Sequence, residues 1–400
     1  MLLAQRKMSR MHPLLSFSKT HEASLLETLE TLVRAESPST DKAAVDRCGT
    51  ELSRRLSGLG ATVERIPQDD CGDHVRATFD GDGQQVLVLG HFDTVWPVGQ
   101  IERMPFRAEN GRLHGPGIFD MKGGIVVGMF AVRALRELDL PRPTVVMLFT
   151  TDEEIGSDTS RALVEAEARR SRAVLVLEPS LPGGKAKTSR KGVGQFELVV
   201  HGVSAHAGIA PEQGSNAVHE LALQIVAVQA LQESVAASGA SINVTVIAGG
   251  DRPNVIPDHA RAAIDVRVAT LADAKRVEAA IRSLTPRTPG TRLEVRGGVD
   301  RPPMERGPQV AEIYGVASAC ARELGKELGE GGTGGGSDGN FTAALGVPTL
   351  DGLGPEGEGA HALHEHVRLS DLPWRVAFLA SLLGGLRVAE RGKIRPCLTD

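Results

Sequence analysis

Four short segments carry acidic and imidazole side chains at spacings that suit joint chemistry. In VLVLGHFDTVWP, His91 and Asp93 follow an apolar run and, two residues apart in extended chain, face the same way. A ligating His needs its other ring nitrogen held by a carboxylate or carbonyl, and Asp93 is placed for that. In GPGIFDMKGG, Asp120 sits in a tight Gly-rich turn ahead of a helix. In LFTTDEEIGS, Glu153 and Glu154 are adjacent at the end of a run without charge, so their side chains diverge. One of these carboxylates can bind a metal ion while the other handles a proton. In VLVLEPS, Glu178 again follows an apolar strand. Each has a plainer reading when taken alone: an exposed turn, a solvated helix start, a helix N-cap at Asp120. Their succession along one chain makes coincidence a poor account.

The elements that must position them alternate. Helical periodicity over 21–33 and 42–59, strands at 62–66, 75–79 and 85–89, a helix over 123–136, a strand at 144–150, a helix over 159–169 and a strand at 173–177 predict an α/β sheet with helices on both sides. Such sheets bind ligands outside the carboxyl ends of their strands, where three of the four segments fall and over which the Asp120 turn can fold. The rhythm then changes. Strand 195–201, helix 216–237, strands 241–247 and 260–268, helix 271–284 and strand 292–296 read β-α-β-β-α-β, a ferredoxin-like unit. A helix, a Gly-rich loop, a short strand and a last helix over 372–386 return to complete the first domain. The expected organisation is a discontinuous catalytic domain, 1–192 with 303–400, interrupted by a second domain at 193–302.

Bulk properties set limits. The chain has 400 residues, 41% hydrophobic and 24% charged, with a net charge of −5, so it is globular and lacks the basic footprint of a nucleic-acid or anionic-membrane binder. Cys48, Cys71, Cys320 and Cys397 are scattered without a C-x-x-C pair, which fits neither a disulfide framework nor a thiolate metal site. The first 20 residues are broken early by Arg and Lys, offer Met8 and Met11 as alternative starts, and contain no apolar stretch of signal-peptide length. An irregular N-terminus and a cytoplasmic location are the expectation, and no uncharged run is long enough to span a bilayer.

With GHFDTV, GPGIFDMKGG, TTDEEIGS, LEPS, GVSAHAG and GGGSD in this order, the chain resembles the two-zinc metallopeptidases of the M20 family from about Leu25 to Leu386. It is most similar to the glutamate carboxypeptidase branch. The resemblance implies a zinc-peptidase-type α/β catalytic domain whose mixed sheet is flanked by helices, and it makes the inserted α+β unit a dimerisation domain and lid. It implies two Zn²⁺, with Co²⁺ or Mn²⁺ as substitutes, bridged by Asp120. His91 and Glu178 would complete one site, and Glu154 and a late His the other. The family's G-A-H-x-x-x-E context assigns that His to His361, leaving His364 and His366 as surface residues. Two cations sharing a carboxylate bring a water's pKa toward neutrality. Glu153 is the candidate base for that water, and Asp93 the carboxylate that orients His91.

His206 by itself reads as a satisfied turn histidine; the resemblance makes it the oxyanion donor, often from the partner subunit of a homodimer. Arg267 would take the substrate's C-terminal carboxylate, and Asn254 would hydrogen-bond near the scissile carbonyl. The amides of Gly334–Asp338, Gly335 among them, would cradle an anion ahead of a helix. Arg301 and Lys185 are candidates for a second substrate carboxylate, and either also reads as a plain surface charge. The implied activity is release of a C-terminal glutamate from a small peptide or N-acyl conjugate. A neighbouring reading is an N-acyl-amino-acid deacylase of the acetylornithine or succinyl-diaminopimelate type. An inactive metal-binding scaffold is disfavoured, because the base and every expected ligand are present.

Overall fold

The computed structural model describes residues 11–387, so Met8 and Cys397 lie outside the described residues. The chain forms two units. One runs up to Thr188 and includes Arg306–Gly331 and the chain from Ser337 onward; the other is Ser189–Glu305 together with Gly332–Gly336. The linear boundaries place 332–336 in the first domain. The structure gives this stretch to the second unit, since Gly336 lies against Arg301 and Val193 and Gly332 against Ser189.

The first unit opens with a helix where an irregular segment was expected. α1 (Pro13–Thr20) starts on a proline, with the His12 side chain accepting from Leu14 N–H, and buries Leu14 and Phe17. It is followed by α2 (Glu22–Arg34), α3 (Lys42–Gly58), β1 (Thr62–Ile66), β2 (His74–Phe79) and β3 (Val86–His91). Next come α4 (Gly123–Glu137), β4 (Val145–Thr150), α5 (Arg161–Arg170) and β5 (Ala173–Val176). β3, β4 and β5 are buried at every position, which is why they read as apolar runs rather than alternating ones.

The second unit contains β6 (Gly192–His201), α6 (Ala217–Val235), β7 (Ser241–Gly249), β8 (His259–Val268), α7 (Leu271–Arg282) and β9 (Arg292–Arg301). Its sheet has the order β7-β8-β6-β9, antiparallel throughout. Along β8, Ala260, Ala262, Ile264, Val266 and Val268 are buried and the intervening residues are not, the period-2 signature of a sheet with helices on one face. α6 and α7 supply that cover.

The chain then returns to the first unit with α8 (Pro308–Glu323), β10 (Thr349–Leu350) and α9 (Leu372–Gly385). The six-stranded sheet has the order β1-β2-β4-β3-β5-β10. Its β1 and β2 edge is antiparallel, while β4, β3, β5 and β10 run parallel, so the sheet is mixed. α4 is buried at every position from Gly123 to Val132, as a helix enclosed by neighbours must be, and packs against α9 and α2. Gly124 near its start lets it press onto the end of β5: a Cβ there would overlap the Leu177 carbonyl oxygen. This close approach sets the turn before α4 beside the residue that follows Leu177, which is Glu178.

Candidate active site

In the first unit, β4, β3 and β5 are neighbours, and their carboxyl ends deliver Glu153–Glu154, His91 and Glu178 side by side. Asp120 arrives from the turn ahead of α4, and its peptide bond to Met121 is cis. His361 comes from a loop near the end of the chain and holds φ at +60°, a region non-glycine residues seldom occupy outside functional loops.

These side chains meet in two clusters joined by one carboxylate. His91 Nε2 is 3.3 Å from Asp120 Oδ1 and 3.5 Å from Glu178 Oε1. His361 Nε2 is 3.5 Å from Asp120 Oδ2 and 3.1 Å from Glu154 Oε2. The two oxygens of Asp120 thus face different imidazoles, each with a further carboxylate beside it. His91 Nδ1 lies 3.1 Å from the Asp93 carbonyl oxygen and 3.3 Å from Asp93 Oδ1. Held there as a donor, the ring presents the Nε2 lone pair to the cluster. That Nε2 is buried and makes no hydrogen bond. Asp93 is itself fixed by Ser39 Oγ at 2.7 Å and by the Glu154 N–H at 3.3 Å.

A buried imidazole nitrogen without a hydrogen bond, ringed by carboxylate oxygens, fits a cation. Tetrahedral sites with bonds of about 2.1 Å place ligand atoms about 3.4 Å apart, close to the spacings found here. The electrostatics agree. Burial pulls the His91 pKa down, yet Asp120, Asp93 and Glu178 drive it well above the usual imidazole value. The hydrogen bond to Glu154 is the largest of the influences that raise His361 to about 9. Burial pushes Glu154 upward. The cluster carries excess negative charge that divalent ions would neutralise.

A second group, Cys71, His74 and Asp152, is also buried and has ligand-type side chains. It behaves differently, because the Thr159 hydroxyl stands among all three, 2.7 Å from Asp152 Oδ2 and 3.2 Å from both His74 Nε2 and Cys71 Sγ. A protein oxygen already fills the centre, and the group is a hydrogen-bonded brace under the Glu153–Glu154 turn. Cys48 and Cys71 are buried free thiols.

Two residues of this region receive no role from the sequence: Glu365, which closes the G-A-H-x-x-x-E context without a task of its own, and Lys187. Glu365 is buried and accepts four hydrogen bonds, from Trp96 Nε1 and from the backbone N–H groups of Gly117, Phe119 and Asp120. Burial raises its pKa to about 7 against the downward pull of those donors. Lys187 is buried with Nζ 3.8 Å from Glu178 Oε2, whereas Lys185, the candidate two residues earlier, is exposed, with its stem along Gly329. His364 is exposed as expected, but His366 is buried in a short strand beside His114, with its Nδ1 2.9 Å from the His364 carbonyl oxygen.

Within the second unit, His206 and Asn254 are brought together where the chain pairs Ala205–His206 with Val255–Ile256, and the Ala207 N–H donates to the Asn254 carbonyl oxygen. His206 is exposed, and its Nδ1 accepts from the N–H groups of Gly208 and Ile209, both at 3.1 Å. The neutral ring therefore carries its proton on Nε2. Arg267 and Arg301 flank Val193 from the two neighbouring strands, in one row across the sheet. Arg267 is half-buried in a forked pair with Asp265, at 3.1 and 2.9 Å, while Arg301 is buried. Arg190 fixes the Gly-rich loop by donating to the carbonyls of Gly335 and Gly336.

The anion cradle expected at 334–338 is partly taken by internal acceptors. In the first unit, Ser337 N–H donates to Asn340 Oδ1 and Gly339 N–H to Ser337 Oγ. Asp338 receives the hydroxyls of Thr150 and Ser157, which braces the Glu153–Glu154 turn instead.

Residues 87–384 match the model of peptidase family M20/M25/M40. The chain belongs to that family. It is 32% identical over 374 residues to carboxypeptidase G2 of Pseudomonas sp. (strain RS-16), spanning 90% of this chain and 89% of that protein. It is 27% identical over 366 residues to succinyl-diaminopimelate desuccinylase of Thioalkalivibrio sulfidiphilus (strain HL-EbGR7), spanning 87% and 94% of the two chains. The M20 family metallo-carboxypeptidase Sso-CP2 of Sulfolobus solfataricus shares the fold, with a TM-score of 0.71, 18% identity and coverage of 90% and 98%. As a member of M20/M25/M40 this chain is a metal-dependent hydrolase of the metallopeptidase type.

Proposed function

We propose that this M20 enzyme is a two-zinc carboxypeptidase that hydrolyses the amide bond beside a free carboxylate and releases a glutamate-like residue from peptides or N-acyl conjugates. The observation that carries this reading is Asp120, whose two oxygens face His91 and His361 separately. Asp120 with His91 and Glu178 would hold one ion, and Asp120 with His361 and Glu154 the other. Oxygen donors with one imidazole apiece suit Zn²⁺, with Co²⁺ or Mn²⁺ able to substitute. When bound, two such ions polarise the scissile carbonyl and acidify the attacking water.

The rest falls to the chain's own side chains. Glu153 accepts the proton of the attacking water and passes it to the departing nitrogen. Asp93 fixes the tautomer and direction of His91. The Nε2–H of His206 and the amide of Asn254 are donors for the oxyanion. Arg267 and Arg301 are the donors for two substrate carboxylates; residues paired to the same central residue lie about 10 Å apart across two strand spacings, a span that suits a dicarboxylate-ended substrate. The likeness to carboxypeptidase G2 supports glutamate release. The likeness to a succinyl-diaminopimelate desuccinylase favours a second reading, an N-acyl-amino-acid deacylase with the same chemistry and a different pocket.

Purified enzyme with added zinc, assayed against pteroyl-glutamate, short acyl-glutamates, dipeptides, acetylornithine and succinyl-diaminopimelate, separates the two. Turnover confined to glutamate conjugates is expected. Turnover of only the last two compounds would move the enzyme to the deacylases.

The second unit also supports a homodimer. β7 is an edge strand, and Val246 and Ile247 on it, with Val226 on α6, are 54%, 65% and 65% exposed. An open edge bordered by exposed aliphatic residues favours pairing with its own copy about a two-fold axis. Ile247→Asp is expected to shift the species seen by light scattering from dimer to monomer. A monomeric wild-type chain at micromolar concentration would remove the dimer from this reading.

A further inference from the structure

Glu365 is four residues beyond His361 and 1% exposed. Its carboxylate is divided evenly between two pairs of donors. Oε1 accepts from Phe119 N–H at 2.9 Å and Asp120 N–H at 3.1 Å, while Oε2 accepts from Gly117 N–H at 3.0 Å and Trp96 Nε1–H at 2.8 Å. Three of the four donors belong to the turn that presents Asp120, and the acceptor belongs to the loop that presents His361. An ionised carboxylate gains short, charge-assisted hydrogen bonds here, and without them its burial would be strongly unfavourable. The turn gains too: the N–H groups of Gly117, Phe119 and Asp120 are satisfied by one side chain, while Ile118 N–H between them donates to the Gly115 carbonyl oxygen.

We propose that Glu365 is a positioning residue that locks the Asp120 turn to the His361 loop, so that both cation positions exist before an ion arrives. The proposal rests on reading Asp120 and His361 as ligands. Two ligands from segments about 240 residues apart in sequence need a common strut, because a cation alone would have to order both segments as it bound. The hydrogen bonds of Glu365 go to Trp96 and to the backbone of the Asp120 turn, so it acts through the backbone of Asp120.

The replacement Glu365→Gln is close in shape and wrong in chemistry. Whichever way the amide turns, its NH₂ faces two N–H donors. Zinc affinity measured by chelator competition is expected to fall about 10- to 100-fold, the usual cost of losing an outer partner of a metal site. At saturating zinc, KM should stay near the wild-type value. Trp96→Phe removes one donor and leaves the carboxylate, and should shift zinc affinity in the same direction by less. That variant keeps the test alive if Glu365→Gln does not fold. Asp120→Asn serves as the reference. If Asp120→Asn binds zinc like the wild type, the ligand reading itself fails. If Asp120→Asn loses zinc while folded Glu365→Gln and Trp96→Phe keep wild-type affinity, Glu365 is only a structural acid and the proposal is overturned.

Discussion

Glu153→Gln is expected to lower kcat by about 10²- to 10⁴-fold, the range general acid–base catalysis contributes, with zinc content and KM close to wild type. Glu153 and Glu154 begin the single turn that follows Asp152, and consecutive residues there point apart. Glu154 is taken into the cluster, its carboxylate 3.1 Å from His361. Glu153 remains as the half-buried carboxylate at the mouth of the same turn. The turn is held from beneath by Asp152, whose Oδ2 accepts from the Thr159 and Ser160 N–H groups, and by Asp338 through Ser157 and Thr150. Replacing one carboxylate oxygen by NH₂ disturbs none of those contacts and removes the capacity to accept a proton. Single-turnover kinetics with a chromogenic glutamate conjugate, alongside metal analysis of the same sample, makes the check. A variant that keeps its zinc and most of its kcat would move the base elsewhere. One that loses both would make Glu153 a structural member of the site.

The parts of this centre legible in the sequence are those whose position follows from local rules. A strand buried on both faces shows as a charge-free run, and a polar residue directly after it must emerge at the sheet edge. His91, Glu154 and Glu178 are readable for that reason, and the Gly-rich turn before α4 marks Asp120 in the same way. What stayed hidden is set by distant pairing. Glu365 serves N–H groups almost 250 residues earlier in the chain, and no periodicity around it reveals an acceptor. Lys187 and Lys185 look alike in sequence. They differ because the strand Ala186–Arg190 is covered on both faces while Lys185 lies just before it. His366, which the G-A-H-x-x-x-E context leaves as a surface residue, lies in a three-residue strand paired with His114. Sequence order puts the Gly334–Gly336 loop in the first domain, and its contacts place it with Arg190 and Arg301 in the second unit.

Asp120→Asn should have the larger effect on the metals themselves. Asn retains the shape of Asp120 but offers one oxygen, so it can face His91 or His361 as a ligand and not both. The other side then meets an NH₂ group, which cannot ligate and repels a cation. Loss of even an outer partner costs up to about 100-fold in metal affinity; loss of the shared inner carboxylate should exceed that and bring the zinc content from two ions per chain to one or none. Activity should fall to background, because the two positions depend on the same side chain. Thermal unfolding gives a readout independent of turnover. A ligand held only by the folded state stabilises it by about 2.7 kcal/mol when its free concentration is about 100 times Kd. Wild-type protein should therefore melt at a higher temperature in zinc than in chelator, and Asp120→Asn should lose most of that difference while still folding cooperatively. If the variant keeps the full zinc-dependent shift and two ions, Asp120 does not join the sites, and the facing of its two oxygens toward His91 and His361 would need another cause.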